Sequence, residues 1–244
     1  MNAIYCIWKK EMKEHASSPL SYILVGLFSG LIGWLFFNYL LAAKEPSESM
    51  LMGQVMAPTF GNMNFVFLFL APLLTMRSFA EERKSGTLDL LLMSPFSKTS
   101  IIVAKLLSTF SVILVMLALT LIFPTILIMS GLSEWGPIFS SYLGLTLSVL
   151  CYLSVGIFAS SLTDNMIISA LLSFCILLGL MLLVFSANVT DNYLLGLIFQ
   201  YASTPFHFEG MVSGSLKSYN FVYFASFISF FLYLTKISLE ARKW

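Results

Sequence analysis

Long apolar runs alternate with short charged segments along the whole chain. The runs contain no Asp, Glu, Lys, Arg or His, and they cover residues 20–43, 58–76, 106–129, 137–160, 166–187 and 219–235. A helix of about 24 residues is about 36 Å long, which is enough to cross a hydrocarbon layer of about 30 Å. The alternating short segments of a membrane β-barrel are absent from the sequence. The pattern therefore predicts an all-α, polytopic membrane protein with six transmembrane helices.

Several local features modify this picture. Residues 193–201 are apolar but only about 13 Å long as a helix, which predicts an interfacial or re-entrant helix in an outer loop, residues 187–218. Pro72 and Pro124 predict kinks in the second and third helices. Gly26 and Gly30 form a GxxxG pair, which predicts a close-packing site on the first helix.

Lys and Arg are concentrated in alternate loops. Two of them, Lys44 and Lys217, lie on one side of the predicted bundle and eleven on the other. The eleven are Lys9, Lys10, Lys13, Arg77, Arg83, Lys84, Lys98, Lys105, Lys236, Arg242 and Lys243. Because Lys and Arg in short loops stay in the cytoplasm, both termini are predicted to be cytoplasmic.

Composition limits the chemistry that the chain can perform. Of its 244 residues, 58% are hydrophobic and 10% charged, with a mean hydropathy of +0.89. The net charge of +1 gives no basic field for nucleic acid, so nucleic-acid binding is excluded. Cys6, Cys151 and Cys175 lack metal-ligand spacing, and His15 and His207 fall on opposite sides of the membrane. The sequence has no GxxxxGK[ST], HExxH or GxSxG motif, so we predict no catalytic residue, metal or cofactor in this chain.

The middle of every predicted span is free of ionisable groups. The nearest, Lys105 and Lys236, lie at cytoplasmic ends, where we expect them to reach the interface. Carriers driven by protons or sodium usually need an ionisable group near the midplane, so self-powered ion coupling is disfavoured. A helix bundle with a structural role alone stays open at this point.

The loop between helices two and three, residues 77–105, is the most charged part of the chain. Gly86 bends the chain, Thr87 is placed to act as N-cap, and Asp89 faces the helix dipole in the first turn. Ser94 and Pro95 end the helix. These signals predict a short amphipathic helix on the cytoplasmic surface.

One side of that short helix is apolar, with Leu88, Leu91 and Leu92 at helical spacing. A helix this short does not persist alone in water, so its apolar side must rest on the bilayer interface or on another protein. Acidic residues interleave with Arg83 and Lys84 on the polar side, which favours a protein groove over a lipid surface.

The same loop resembles a known signature. Glu82, Gly86-Thr87-Leu88, Leu91-Leu92, Pro95 and Lys105 are similar to the motif around the coupling helix in permease subunits of type 2 ATP-binding-cassette exporters. A second match covers residues 156–165. A third comprises residues 204–209, Gly214, Tyr223-Phe224 and Arg242-Lys243-Trp244, and it resembles the branch of gliding-motility-associated and copper-enzyme-maturation permeases. The resemblance spans nearly the whole chain in order and spacing.

This resemblance implies how the protein is powered. Two six-helix halves, of the same or a related chain, pair with two cytoplasmic ATPase subunits that bind the ATP and Mg²⁺, in a bacterial cytoplasmic (inner) membrane. The implied ATPase-coupling residues are Glu81, Glu82, Arg83, Lys84, Gly86, Thr87, Leu88, Asp89, Leu91, Leu92 and Pro95, with a smaller second contact at Thr163, Asp164 and Asn165.

The resemblance also implies roles for the two ends of the chain. Residues 1–19 resemble an interfacial connecting helix, in which Ile4, Ile7 and Trp8 dip into the membrane interface while lysines meet lipid head groups. The six-helix permease domain then covers residues 20–244. For His207, Phe208, Glu209 and Gly214, one reading is an outer lid or a dock for an envelope or periplasmic accessory protein. The alternative is a histidine that is hydrogen-bonded locally within its loop.

Three functional hypotheses follow. The first is an export permease subunit driven by a separate ATPase. The second, in the same assembly, is ATP-driven mechanical work on an envelope partner, as in gliding. The third is an ATPase-independent carrier or a structural membrane anchor. The sequence identifies no substrate.

Overall fold

The computed structural model describes residues 3–43, 52–129, 135–189 and 192–241. Lys44, Arg242, Lys243 and Trp244 contributed to the charge count or to the family signature, and they lie outside the described residues. Within the described ranges the structure is helical and contains no strand.

The helices follow one another with short connections. Their bounds are α1 Ala3–Ser17, α2 Pro19–Ala42, α3 Ala57–Thr75 (preceded by a π-helical turn, Met52–Met56), α4 Ala80–Lys84, α5 Leu88–Leu92, α6 Lys98–Thr120, α7 Ile122–Met129, α8 Trp135–Leu162, α9 Met166–Val189, α10 Tyr193–Ala202, α11 Thr204–Val212 and α12 Ser218–Glu240. Six segments of the described chain are long and apolar enough to cross a membrane. They contain α2, α3, α6 with α7, α8, α9 and α12, which confirms the all-α class and the six predicted crossings.

The spans are not equally buried. Helices α3 and α8 form the centre of the bundle, whereas α2, α9 and α12 expose most of their surface. The central pair touches at Gly156, where an added Cβ would lie 2.0 Å from Thr75 Oγ1. Glycine is required there because any side chain would push the two helices apart.

The structure confirms an interruption of the helix near Pro124, but it shows no close packing at the GxxxG pair among the described residues. Helix α6 ends at Thr120, and α7 begins at Ile122, so the helix is interrupted near Pro124 as predicted. Pro124 has no N–H for the Thr120 carbonyl, which instead accepts a hydrogen bond from the Tyr142 hydroxyl (3.0 Å). Gly26 and Gly30 have nothing within 4 Å of an added Cβ, so they pack against no other part of the described chain.

Two faces of the bundle can be distinguished by their contacts. Arg77 donates to Ser18 Oγ (3.1 Å) and Ser238 donates to the Ser161 carbonyl (3.3 Å), which places α1, the loop after α3, the end of α8 and the end of α12 together. We call this the terminal side. The opposite, far side holds α10 and α11.

The predicted outer loop, residues 187–218, is largely helical. Helix α10 has only ten residues, so it is too short to cross a membrane, as predicted. None of its residues is buried. Helix α11 was missed from the sequence, and it packs on α8 through a hydrogen bond from Ser140 Oγ to the Met211 carbonyl (2.7 Å). The turn after α11 uses Gly214 at φ +84°, a conformation that disfavours other residues.

Candidate functional site

The candidate site is the loop from Met76 to Ser97 on the terminal side, with the helices that hold it. It contains α4 and α5, joined through Gly86 at φ +71°. This left-handed conformation confirms the predicted bend at Gly86. Helix α5 spans five residues and ends just before Ser94 and Pro95, also as predicted.

Thr87 behaves differently from the prediction. It stands at the N-cap position of α5, but its side chain makes no capping bond. Its hydroxyl instead donates to the Glu82 carbonyl oxygen (3.3 Å) and lies 2.9 Å from Ser85 Oγ. Thr87 therefore ties α5 back to α4, while the true side-chain cap in this loop is Ser97, whose Oγ accepts from the Ser100 N–H (3.2 Å) at the start of α6.

The start of the loop is held by the end of α8. Ser160 Oγ accepts hydrogen bonds from the Phe79 N–H (3.0 Å) and the Ala80 N–H (3.1 Å), and it donates to the Met76 carbonyl (3.2 Å). These three bonds satisfy the backbone where α3 gives way to α4. One serine thus fixes the direction in which the loop leaves the bundle.

Arg83 strengthens the same attachment. Its guanidinium donates to the Ser161 carbonyl oxygen, at the last turn of α8. This oxygen also accepts from Ser238 of α12. The loop is therefore connected to two spanning helices on this side.

A buried cluster of charges holds the loop from the other side. Lys105 of α6 is 1% exposed, and its Nζ lies 2.7 Å from Glu11 Oε1 and 3.0 Å from Glu82 Oε1. Lys10 approaches the same Glu82 oxygen at 3.7 Å. We call Lys10, Glu11, Glu82 and Lys105 the charge cluster. The expectation that Lys105 reaches the interface is wrong, because two carboxylates of the chain itself surround it.

Nearby carboxylates favour the charged form of Lys10. Partial burial alone would lower the pKa of Lys10, but the neighbouring carboxylates of Glu14, Glu82 and Glu11 outweigh burial and raise it. The cluster pairs two cations with two anions, although Lys10 is exposed and only Lys105, Glu11 and Glu82 are largely buried. It joins α1, α4 and α6, which come from three separate parts of the sequence.

The N-terminal helix is accordingly part of the folded protein. Ile7 is buried, and Trp8 Nε1 donates to Ser111 Oγ of α6 (3.1 Å). The expectation that Ile7 dips into lipid is therefore wrong because Ile7 is buried against the bundle, whereas the same expectation for the partly exposed Trp8 stays a prediction. Lys9 and Lys13 are exposed, as their predicted contact with head groups requires.

The structure separates the predicted coupling residues into an inner and an outer set. Leu88 is 3% exposed and Leu91 is half-buried against the core, so the apolar side of α5 rests on this chain itself. Sequence reasoning had offered only lipid or another protein. Glu82 and Arg83 also point inwards. The side chain of Leu92 lies outside what the structure describes.

The outer set is formed by exposed residues of α4, α5 and the turns beside them. Leu90 is 70% and Met93 63% exposed, and neither was singled out from the sequence. From the exposed residues of the loop we define an outer face, which consists of Glu81, Lys84, Gly86, Thr87, Asp89, Leu90, Met93 and Pro95. Two large apolar side chains among mixed charges are typical of a protein contact.

The predicted second contact lies on the same side of the bundle as this loop. Asn165 caps α9 by accepting from the Ile167 N–H (2.9 Å), and Thr163 Oγ1 accepts from the Asn165 N–H (3.1 Å). Asp164 is exposed. Arg83 reaches Ser161, two residues before Thr163, so the two predicted contacts share the terminal side.

The far-side residues are placed differently from either prediction. His207 and Phe208 are buried in α11 rather than displayed on a loop. The His207 ring stacks on Tyr223 at 4.0 Å, with Nδ1 2.8 Å from Asn220 Oδ1 and Nε2 3.0 Å from the Tyr201 carbonyl. The histidine is thus hydrogen-bonded locally, although within a helix. Only Glu209 and Gly214 of the four predicted contact residues are exposed.

Besides Leu90 and Met93, sequence reasoning missed Glu11 and Ser160, which hold the loop in place. The signal for Glu11 was Lys105 itself, because a lysine one residue before an apolar run needs a carboxylate if it is not to face lipid. Ser160 carries no such signal, since serines recur along α8 and the bonds it makes are to distant backbone.

The family to which the chain is similar was identified by comparison with known proteins. Residues 6–240 match the family model described as ABC-2 family transporter protein. A comparison with the curated proteins found no match.

Proposed function

Because this chain belongs to the ABC-2 transporter family, and is thus the permease type of subunit in an ABC transporter, we propose that a separate ATPase docks on its outer face and drives export. The observation that carries this proposal is the pairing of an exposed, mixed-charge outer face with a loop that is anchored inwards. Leu90 and Met93 supply apolar contact, while Glu81, Lys84 and Asp89 supply charges for the rim.

The anchoring supports transmission of force. A push on the outer face passes through Arg83 to α8, and through Glu82 and Lys105 to α6. Buried hydrogen bonds and ion pairs resist deformation, so the loop moves with its helices as one body. ATP binding to the partner then biases the bundle between an inward-facing and an outward-facing arrangement.

We place the terminal side in the cytoplasm, since eleven of the thirteen Lys and Arg residues belong to it in the predicted topology. ATP is hydrolysed by the partner in this scheme, and the functional unit contains a second permease half, identical or related. The likeness to the gliding-motility and copper-enzyme-maturation branch stays a prediction, as do the smaller contact at residues 163–165 and a bacterial inner-membrane location.

The test is co-purification with a candidate ATPase from the neighbouring reading frames. Leu90→Asp with Met93→Asp should reduce the recovered ATPase about tenfold, the loss expected when two interface anchors are removed. Leu216→Asp, at an exposed leucine beyond α11 on the far side, is the matched control and should retain full recovery. Unchanged recovery with the double variant, in a folded protein, would exclude the outer face as the docking site.

Mechanical work on an envelope partner and an ATPase-independent carrier make different predictions. Solute flux that depends on ATP turnover in the reconstituted complex excludes the mechanical version. Failure to recover any ATPase, together with normal function of the Leu90→Asp variant, favours the third hypothesis.

A further inference from the structure

A cavity of about 350 Å³ opens on the terminal side between the N-terminal helix and the bundle. Its wall is formed by the second half of α1, the start of α2, the end of α3, α4 and Lys105 of α6. Its size is within the range of small-molecule sites. The polar groups of this wall differ in whether the folded chain already satisfies them, and that difference determines which kind of ligand fits.

The charged side chains of the wall are already paired. Each of its four carboxylates has a cation within 4.0 Å. The pairs are Glu11 and Glu82 with Lys105 (2.7 and 3.0 Å), Glu14 with Lys10 (3.4 Å) and Glu81 with Arg77 (4.0 Å). Lys105 serves two carboxylates, but the second oxygen of Glu82 is enclosed by protein, so a ligand cannot reach it. A charged ligand would therefore compete with existing ion pairs instead of completing one.

Two hydroxyl groups of the wall have no partner. Ser17 donates to a backbone carbonyl of α1 (2.8 Å), and Ser18 accepts from Arg77 (3.1 Å). Ser21 and Ser78 are only 9% and 6% exposed, yet their side chains make no hydrogen bond within the described chain. Neither hydroxyl is among the polar atoms that the protein encloses, so both are open to the cavity. Hydroxyl groups in residues this buried are normally hydrogen-bonded, which leaves the contents of the cavity to supply the partner.

The ring of His15 adds a third unpaired group. Burial lowers its pKa, so at pH 7 the imidazole is neutral and presents one N–H donor and one acceptor nitrogen. Neither ring nitrogen is hydrogen-bonded to another described residue. Leu20, Leu73 and Leu74 line the cavity beside these groups. The accessible wall thus combines neutral donors and acceptors with an apolar surface.

We infer that this cavity binds a neutral polyhydroxyl molecule the size of one sugar ring. Each hydroxyl of such a ligand both donates and accepts, which matches Ser21, Ser78 and His15, while the C–H groups of the ring pack on the leucines. An anion is disfavoured by the four carboxylates, and a cation finds each accessible carboxylate already paired. A free sugar and the head group of a neutral glycolipid share this chemistry. The inference does not depend on an ATPase docking to the chain.

Equilibrium binding of labelled sugars to the whole chain in lipid nanodiscs tests the inference, since alkyl glycoside detergents carry a sugar themselves. Methyl glucoside, glucosamine and glucuronate share one ring and differ in charge. Methyl glucoside should bind about tenfold more tightly than either charged sugar, because only the charged ones disturb the ion pairs. Equal or tighter binding of a charged sugar would overturn the inference.

A second arm distinguishes the two sources of the ligand. Glucosyl diacylglycerol is added to the nanodiscs, with diacylglycerol of the same acyl chains as the control. Displacement of methyl glucoside by the glycolipid alone would assign the cavity to a lipid head group, and its failure to displace the bound sugar would assign it to a free sugar. If neither the soluble sugar nor the glycolipid binds saturably, no neutral sugar is recognised and the inference is wrong.

One double variant and one control locate the site. Ser21→Ala with Ser78→Ala removes both open hydroxyls and should weaken binding about tenfold, the effect of two lost hydrogen bonds. Ser29→Ala is the matched control, because this hydroxyl lies on α2 outside the cavity and already donates to the Val25 carbonyl (2.9 Å). Thermal unfolding without sugar shows that each variant is folded. Undiminished binding by the folded double variant, or an equal loss in the control, would exclude this cavity as the site.

Discussion

The ammonium group of Lys105 lies 2.7 Å from the carboxylate of Glu11, 94 residues earlier in the chain, and both side chains are almost fully buried. This pair joins the N-terminal helix to the third spanning segment. Glu82 completes the arrangement from the loop that carries the outer face. The position of that loop therefore depends on Glu11, near the start of the chain, and on Lys105, in the third spanning segment.

Removing the shared cation should destabilise the protein strongly. Lys105→Met leaves Glu11 and Glu82 buried without a counterion, and we expect a loss of about 3–5 kcal/mol in the free energy of unfolding. Chemical denaturation in detergent micelles measures it. Lys236→Met, in an exposed pair with Glu240, is the control and should cost less than about 1 kcal/mol.

The same reasoning predicts rescue. Adding Glu11→Gln and Glu82→Gln to Lys105→Met removes the uncompensated charges and should recover at least half of the lost stability. A triple variant no more stable than the single one would show that packing of the lysine stem, rather than its charge, stabilises this region.

The contact between α3 and α8 should tolerate no added methyl group at Gly156. Gly156→Ala places a Cβ against Thr75, and overpacking of this kind costs about 1–3 kcal/mol. Gly179→Ala is the matched control, since nothing lies within 4 Å of its added Cβ, and it should be neutral or slightly stabilising. Thermal unfolding of the two variants in the same detergent compares them directly.

Acidification should loosen the N-terminal helix through His15. Burial lowers its pKa from 6.5, helped by Lys105 and Arg77 and opposed by Glu11 and Glu14. The fold thus favours the neutral imidazole, so its contribution is complete above pH 6.5 and is lost as the pH falls below that value. The drop in melting temperature between pH 7.5 and pH 5.5 should be larger in the wild type than in His15→Gln. Equal drops would mean that His15 does not contribute.

On the far side, His207 should matter for stability and not for ATPase docking. His207→Ala removes the stacking on Tyr223 and leaves Asn220 without its ring partner, for an expected cost of about 2–3 kcal/mol. Co-purification with the ATPase should be unchanged. Glu209→Ala, the exposed neighbour, should alter neither quantity, and a large effect of Glu209→Ala on complex formation would instead support an accessory contact there.

The parts of the fold that follow from local rules were predictable from the sequence. Uninterrupted apolar runs gave the six spans because a spanning helix must satisfy its backbone internally. Gly86 and Pro95 gave the limits of α5 because each restricts the backbone at one position. The long outer loop was less predictable, since α11 contains His207 and Glu209 and lacks a clear apolar period.

The orientation of the loop required tertiary contacts that no local pattern encodes. Leu88 and Leu90 are equally apolar, yet one is buried and the other exposed, because Ser160 and the charge cluster fix which way α5 faces. For the same reason Glu81 is exposed, whereas Glu82 is largely buried. A sequence alone identifies such a helix, whereas only the fold determines which of its side chains a partner can reach.

The burial of Lys105 also constrains how the protein is made. Glu11 leaves the ribosome before Lys105, so the acid is already present in the growing chain when the third spanning segment is made. A chain that began translation at Pro19 would keep Glu82 as the partner of this cation but lose Glu11. Truncation of the N-terminal helix would therefore remove a counterion from a spanning segment that lies 94 residues further along the chain.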